Sequence, residues 1–453
     1  MLLKQIAEYA VKEQTAGLPE EVIHHAKRAV VDWHASLLPG SRVAPATLLE
    51  LALADELDHG RARLASGRRA TLRAAALING AASHAVEFDD IWRDAVYHPG
   101  SPVISAALAA AQAQGANGER FLRGVIVGYE VSTRIGDAVM PSHYRFWHTT
   151  GTVGTFGAAA AVATILGCNR EQFAHALGNA GTFAAGLQQA FRSEAMAKPL
   201  HGGHAAEAGA LAALAAARGV TGVADILEGE VGFGAAMSVN PDWSRATRGL
   251  GTDYHITRIT FKNHGCCGHN FAALDAVLAL KREHGFTHKH VRKVHIATYQ
   301  GGLDIVDNPR PEGDYQAKFS IQYTVAHALV HGSVRLNAFG PDRLGDPELR
   351  ALMQRIECVA DAELSRAFPG QRAARVEIEL ADGRRLAHFQ PTRKGDPEMP
   401  LTDAELNEKF LELTMPVLGD TRARALLARL WALESEKNLD FEPGERVPAR
   451  VAS

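Results

Sequence analysis

The chain has 453 residues, of which 46% are hydrophobic and 22% charged, and carries a formal net charge of −3. These are globular values, and the chain is too long for one simple core; domains run about 100–200 residues, so two domains are expected. No basic stripe marks a nucleic-acid surface, no run of about 18 consecutive apolar residues marks a membrane span, and four cysteines, with Cys266 and Cys267 adjacent, make no disulfide framework.

The first residues, MLLKQIAEYAVKEQ, are amphipathic and lack the apolar core of a signal peptide, so a cytoplasmic protein is expected. Residues 1 to about 250 read as almost continuous helix. Pro19 is suited to a first turn, and Val22, Ile23, Ala26, Ala29 and Val30 keep a helical apolar face. Small residues dominate the later helices, as in Ala158–Ala161 and Ala205–Ala217. Gly151, Gly154 and Gly157 recur every third position; with no strand before them, close helix packing is expected rather than a phosphate loop.

The texture changes near residue 254. Tyr254–Lys262 and Val291–Tyr299 alternate like strands, and Val376–Leu380 with Arg385–Phe389 reads as a hairpin turning at Asp382-Gly383. Helical stretches are expected at about 270–284, 315–331 and 340–354. From about 396 the chain is helical again: Thr402 with Glu405 forms a capping-box signature, and Pro416 is expected to end or kink that helix. The expected fold is mainly α with α+β. Residues 1–253 and 396–453 form one large helical domain built from both chain ends, with a smaller α/β domain, 254–395, inserted. Residues 443–453 are expected to fray.

Four polar islands interrupt the apolar helices. Glu87, Asp89 and Asp90, followed by His98, place three carboxylates together, which raises at least one pKa if they are buried. Tyr144 to Gly151 sets His148 between aromatics and a glycine-rich helix start, where a base or a carboxylate clamp can sit. Lys198 lies between Ala197 and Pro199 with few local polar partners, so burial would make it a usable base. Lys262 to His269 holds two cysteines and two histidines, but adjacent cysteines rarely ligate one ion, and no metal is expected. H-E-x-x-H, G-x-S-x-G, Walker and dinucleotide fingerprints are all absent.

These islands, in this order, resemble the MmgE/PrpD family, which includes 2-methylcitrate dehydratase, cis-aconitate decarboxylase and iminodisuccinate epimerase. The matching stretches include EFDDIWRDAVYHPGSPV, FWHTTGTVGTFGAAAAVATILG, AMAKPLHGGHAAEAGALAALAA, KNHGCCGHNFAALDAV, AKFSIQYTVAHAL and KGDPEMPLTDAELNEKF, over about 80–410. The resemblance implies a helical domain with a smaller lid, a homodimer and a reaction with no metal or cofactor. It implies Lys198, His148, His98 and Tyr323 as catalytic residues, and Glu87 and Asp90 as contacts to a small polycarboxylate; Tyr144, beside His148, and His269, two positions before Phe271, are expected as further contacts from this chain's own residues. This chain departs from the family at Ile91, where decarboxylase-like members have Thr, and at Phe271, where many members have His.

Dehydration, decarboxylation and epimerisation share an enolate-like intermediate beside a carboxylate. They need cations to hold the carboxylates and a base–acid pair. The expected activity is a metal-independent lyase, 2-methylcitrate dehydratase-like, acting on a di- or tricarboxylic acid. The alternative is an epimerase or isomerase of a dicarboxylate such as iminodisuccinate, with Lys198 and Tyr144 or His148 on opposite faces of one carbon. A third reading, a carboxylate-binding protein with a decayed site, draws on Ile91 and Phe271.

Overall fold

The computed structural model describes residues 1–192 and 195–441; the fraying expected for 443–453 lies outside these described residues. The chain forms two compact units, one of Met1–Thr260 with the chain from Thr402, the other of Phe261–Leu401. The expected breaks at 253/254 and 395/396 each fall several residues before these.

The first unit is helical. Its longest members are Glu20–Gly40, Leu72–Ala85, Gly100–Gln114, Gly118–Val139, Thr149–Leu166, Ala197–Ala216 and Asp403–Leu418. Thr149–Leu166 lies at the centre. By length and composition it could cross a membrane, but 94% of it is buried in the unit, as in a core helix. Its glycines let neighbouring backbones approach. A Cβ on Gly154 would stand 2.6 Å from Pro102, and one on Gly157 2.7 Å from Ser132 and Val103. The spacing of three is therefore a packing seam.

The chain ends meet within this unit. Asp403–Leu418 starts with the expected capping box between Thr402 and Glu405. It packs on Glu20–Gly40, where the buried Lys409 ammonium meets Asp32 at 2.6 Å. Pro416 lies inside this helix, which runs on to Leu418; it sits in the last turn, where little of the hydrogen-bond ladder remains to break.

Two expectations are corrected, one for the helical domain and one for the start of the inserted domain. The helical run of the first unit is broken by an antiparallel pair, β1 (Leu57–Arg63) and β2 (Arg69–Ala70). The charged, largely exposed β1 shows no apolar alternation that would betray it. Tyr254–Lys262 is no strand: His255–Arg258 is a 3-10 turn, and Thr260 makes one bridge to Ile91. The buried Glu130 carboxylate accepts the Ile256 N–H at 3.0 Å, and Arg134 donates to the Arg248 and Asp253 carbonyls. Backbone groups in and just before this stretch are thus taken up by distant side chains and by the single Thr260–Ile91 bridge, with no strand ladder.

The second unit is α+β. Its sheet has the order β4–β3–β5–β6, with β3 Val291–Thr298, β4 Ile356–Ala360, β5 Ala374–Leu380 and β6 Arg385–Gln390. β3 pairs parallel with β4 and antiparallel with β5, and β5–β6 is the expected hairpin. The helices Phe271–His284 and Ile321–His331 pack with the sheet around a core including Val277, Leu280, Ile296, Tyr323 and Ile378. The expected helices at 315–331 and 340–354 are each split, by Phe319-Ser320 and by Gly345-Asp346; Ser320 and Asp346 each cap the helix that follows. β4 escaped the sequence reading because this short edge strand is mostly exposed.

Candidate active site

The site begins where the helix Leu72–Ala85 ends. His84 lies in its last turn, and the chain then loops over Glu87, Asp89 and Asp90 to His98 before Gly100–Gln114 begins. Glu87 (φ 59°) and the β-branched Val96 (φ 48°) are left-handed, a strained conformation for residues other than glycine. Buried anchors hold the loop. Asp90 accepts the Gly100 N–H at 2.9 Å and the Tyr129 hydroxyl at 2.7 Å, and Lys409 donates to the Phe88 carbonyl at 2.8 Å.

Lys198, at the start of Ala197–Ala216, forms a buried ion pair with Glu87. Its ammonium lies 5.6 Å from the centre of the Phe191 ring, and His148 meets the same ring edge-on at 4.8 Å. His148 stands at the N-cap of Thr149–Leu166 and donates its backbone N–H to Gly186. Its Nδ1 lies 3.0 Å from His201 Nδ1. On its other side His84 stacks at 5.6 Å, with planes 16° apart. Asp89 Oδ2 lies 2.6 Å from His84 Nδ1 and 3.2 Å from His98 Nδ1. Glu87, Lys198, His148 and His98 are thus joined through Phe191, His84 and Asp89 in one buried cluster.

The electrostatics follow from burial and crowding. Burial, then His84, His201, Lys198 and His98, hold His148 well below the usual histidine range. Burial, then His84, His204 and Lys198, bring His201 to about 4. Both imidazoles are neutral near pH 7. Asp90 is pushed up to about 8 by burial and by the Asp32 charge, so its carboxyl is neutral there. With both oxygens engaged, Asp90 anchors the loop where a substrate contact was expected.

His84, Asp89 and His98 bring ligand atoms within 4.8 Å of one another, a donor set that can suit a divalent ion. The 2.6 Å His84–Asp89 contact has the length of a charge-assisted hydrogen bond, so that pair is satisfied through a proton.

Of the remaining expected residues, Tyr144 belongs to the first unit and His269 and Tyr323 to the second. Tyr144 is half-buried in the turn Ser142–Arg145, a few residues before His148. In the second unit, His269 Nδ1 is 2.7 Å from the Tyr299 hydroxyl, whose ring stacks on Phe368. Burial, then Arg372 and Arg393, bring His269 to about 3. Tyr323 is buried in the core of that unit and donates to the Ala338 carbonyl at 2.5 Å. The cysteine-containing island does not converge: His264 pairs with Asp275 at 3.0 Å, and the buried Cys266 thiol is pushed up by burial. Phe271 is a fully buried core residue, and Ile91 is buried against Thr260.

The sequence reading passed over His84, His201, Tyr129, Asp32 and Lys409, and left Asp89 out of the site. Spacing offered a signal for two of them. His201 is three residues after Lys198 on one helix face, and His84 is three before Glu87. The contacts of Tyr129, Asp32 and Lys409 are long-range.

Residues 4–246 match the MmgE/PrpD N-terminal domain and residues 264–433 the MmgE/PrpD C-terminal domain. The chain is 27% identical to the cis-aconitate decarboxylase-like protein oryM of Aspergillus oryzae, over 96% of this chain and 95% of that protein. It is 28% identical to cis-aconitate decarboxylase of Mus musculus, over 80% of this chain and 75% of the relative. It is 27% identical to the mitochondrial 2-methylcitrate dehydratase of Yarrowia lipolytica, over 66% and 61%. With both domains matched along most of its length, the chain belongs to the MmgE/PrpD family.

Proposed function

We propose that the protein is a lyase, a dehydratase or decarboxylase, that moves a proton at the carbon alpha to a carboxylate of a small di- or tricarboxylic acid, with no metal or cofactor taking part. The observation that carries this reading is the buried contact chain from Glu87 through Lys198, Phe191, His148 and His84 to Asp89 and His98. It gathers an ammonium, imidazoles and carboxylates out of water, where charge interactions are strong. The decarboxylases and the dehydratase among its relatives support the same class.

The chemistry follows from that set. Removing the alpha proton leaves the C–H electron pair as an enolate spread into the adjacent carboxylate. Lys198 supplies the positive charge that this developing anion needs. In the free protein Glu87 holds that ammonium, and a substrate carboxylate competes with Glu87 for it. His148, kept neutral, takes a proton at a bare ring nitrogen or gives one from a protonated nitrogen. In dehydration the enolate expels the β-hydroxyl, which leaves as water after protonation. In decarboxylation carbon dioxide departs, its bonding pair stays on carbon, and the acid protonates that carbon. His98 acts as a second clamp or acid. Tyr144 and His269 as carboxylate contacts, Tyr323 as a proton donor, a homodimeric state and a cytoplasmic location belong to the same proposal.

The test is turnover of cis-aconitate, citrate and 2-methylcitrate by the wild type and by Lys198→Ala. Loss of turnover in the folded variant is expected; full turnover would remove the centre of the mechanism. A second reading, an epimerase or isomerase of a dicarboxylate such as iminodisuccinate, is favoured by two separately held imidazoles, His98 and His148, each beside His84. Deuterium wash-in from heavy water without net product would select it.

A further inference from the structure

We propose that a cavity beside His34 is a binding site for a small, uncharged aliphatic alcohol, whose hydroxyl donates a hydrogen bond to His34 Nε2. The site goes beyond the lyase reading and does not depend on it. The cavity measures about 60 Å³ and lies within the helical unit, lined from Glu20–Gly40, Leu72–Ala85, Gly100–Gln114 and Asp403–Leu418. A water needs about 10–15 Å³ of such space, so a ligand of about four to six non-hydrogen atoms fits. Leu37, Leu38, Leu64, Leu108, Leu418 and Phe441 form apolar walls, each at most 9% exposed. The polar groups among them are engaged by the fold. Asn79 accepts the Ala65 N–H at 3.1 Å and donates to the Arg63 carbonyl at 2.9 Å. Gln112 accepts the Arg63 N–H and donates to the Leu439 carbonyl, both at 2.9 Å. The Arg63 guanidinium is paired with Asp440, and the exposed Arg422 gives its Nε–H to the Leu418 carbonyl. His34 differs. It is 4% exposed, and its Nδ1 lies 2.9 Å from the Val30 carbonyl, which can only accept, so Nδ1 carries the ring proton. Burial brings the group to about 4, so the ring is neutral near pH 7 and Nε2 is an acceptor. Nε2 has no partner among the described residues and opens on the cavity that the ring lines. Phe441 meets the ring edge-on at 5.7 Å and is itself covered by Arg429 at 4.8 Å, which holds this wall in place. A water at Nε2 would find few further polar partners, whereas a hydroxyl on an apolar chain matches both the acceptor and the walls.

Ligand-observed NMR on the full chain, with 1-butanol as the probe, tests the site. Saturable binding is expected, and Leu108→Phe, whose larger side chain fills the cavity, should abolish it. His34→Leu keeps the bulk and removes the acceptor. It is expected to weaken 1-butanol about 3- to 10-fold, the net worth of one hydrogen bond. It should leave n-pentane, which has as many non-hydrogen atoms but no hydroxyl, unchanged. The proposal is overturned if 1-butanol does not saturate, or if folded His34→Leu weakens both probes alike or neither. Butyrate is the charged control. Tighter binding of butyrate than of 1-butanol would put Arg422, and not His34, at the head of the ligand, and would equally overturn the assignment. Should the variants fail to fold, the wild type alone decides. In its ¹⁵N-histidine spectra 1-butanol is expected to move one unprotonated Nε2 resonance that n-pentane leaves in place, and the absence of that shift sinks the proposal.

Discussion

His148 Nδ1 and His201 Nδ1 stand 3.0 Å apart, so a single proton bridges the two rings. If His201 donates it, His148 carries its own proton on Nε2 and is an acid there. If His148 donates it, its Nε2 is bare and is a base. Removing the partner leaves a buried ring nitrogen unpaired. His201→Ala is therefore expected to cost about 1–3 kcal/mol of stability, read by urea unfolding, and to lower turnover. His201→Asn, which can donate or accept, should recover part of both. Wild-type behaviour of the alanine variant would mean that His148 needs no partner.

The Lys198–Glu87 pair is buried, with side chains 6% and 9% exposed. Breaking one side of such a pair leaves an uncompensated charge. Lys198→Met alone should destabilise the protein by about 3–5 kcal/mol. The double variant Lys198→Met, Glu87→Gln should regain most of that stability without regaining turnover. Comparing denaturant midpoints with kcat separates the structural from the chemical role of the lysine.

Asp90 links stability to pH. Its pKa in the folded protein is about 8, raised by burial and the neighbouring Asp32, against 3.8 for an unperturbed aspartate. Between those values the folded state binds the proton that the unfolded state has released. Asp90 thus favours folding fully below the unfolded value, and that contribution is lost as pH rises from about 4 to about 8. Asp90→Asn can still accept the Gly100 N–H and can donate to Tyr129, so it should flatten this part of the stability profile. Melting temperatures across that range measure it; an unchanged slope would show that Asp90 is ionised in the folded protein.

Gly157 tests the packing seam. An added Cβ would lie 2.7 Å from Ser132 Oγ and Val103 Cγ2. Gly157→Ala is expected to cost about 1–3 kcal/mol through overpacking, despite alanine's better helix propensity. A stabilised variant would mean that the neighbouring helices can separate freely.

Much of the fold is local and therefore legible in the sequence. The capping box at Thr402 and the hairpin at Asp382-Gly383 depend on residues a few positions apart, and both form. The glycine seam could also be read, because with no strand before it the spacing of three pointed to helix contact. The misreadings share a cause. β1 is charged and lacks an apolar pattern, and the 254–262 stretch gives its Ile256 N–H to Glu130 and pairs Thr260 with Ile91, both more than a hundred residues away in sequence.

The site divides the same way. By itself the sequence determined which residues are candidates for chemistry and roughly where they lie, because islands around Glu87, His148 and Lys198 stand out against Ala-rich helices. Only the tertiary structure decided their partners. It paired Lys198 with Glu87, set His201 on His148, placed Asp89 between His84 and His98, and turned Asp90 inward to Tyr129. The physical reason is that protonation and tautomer depend on burial and on charges a few ångströms away in space, and such neighbours come from helices distant along the chain.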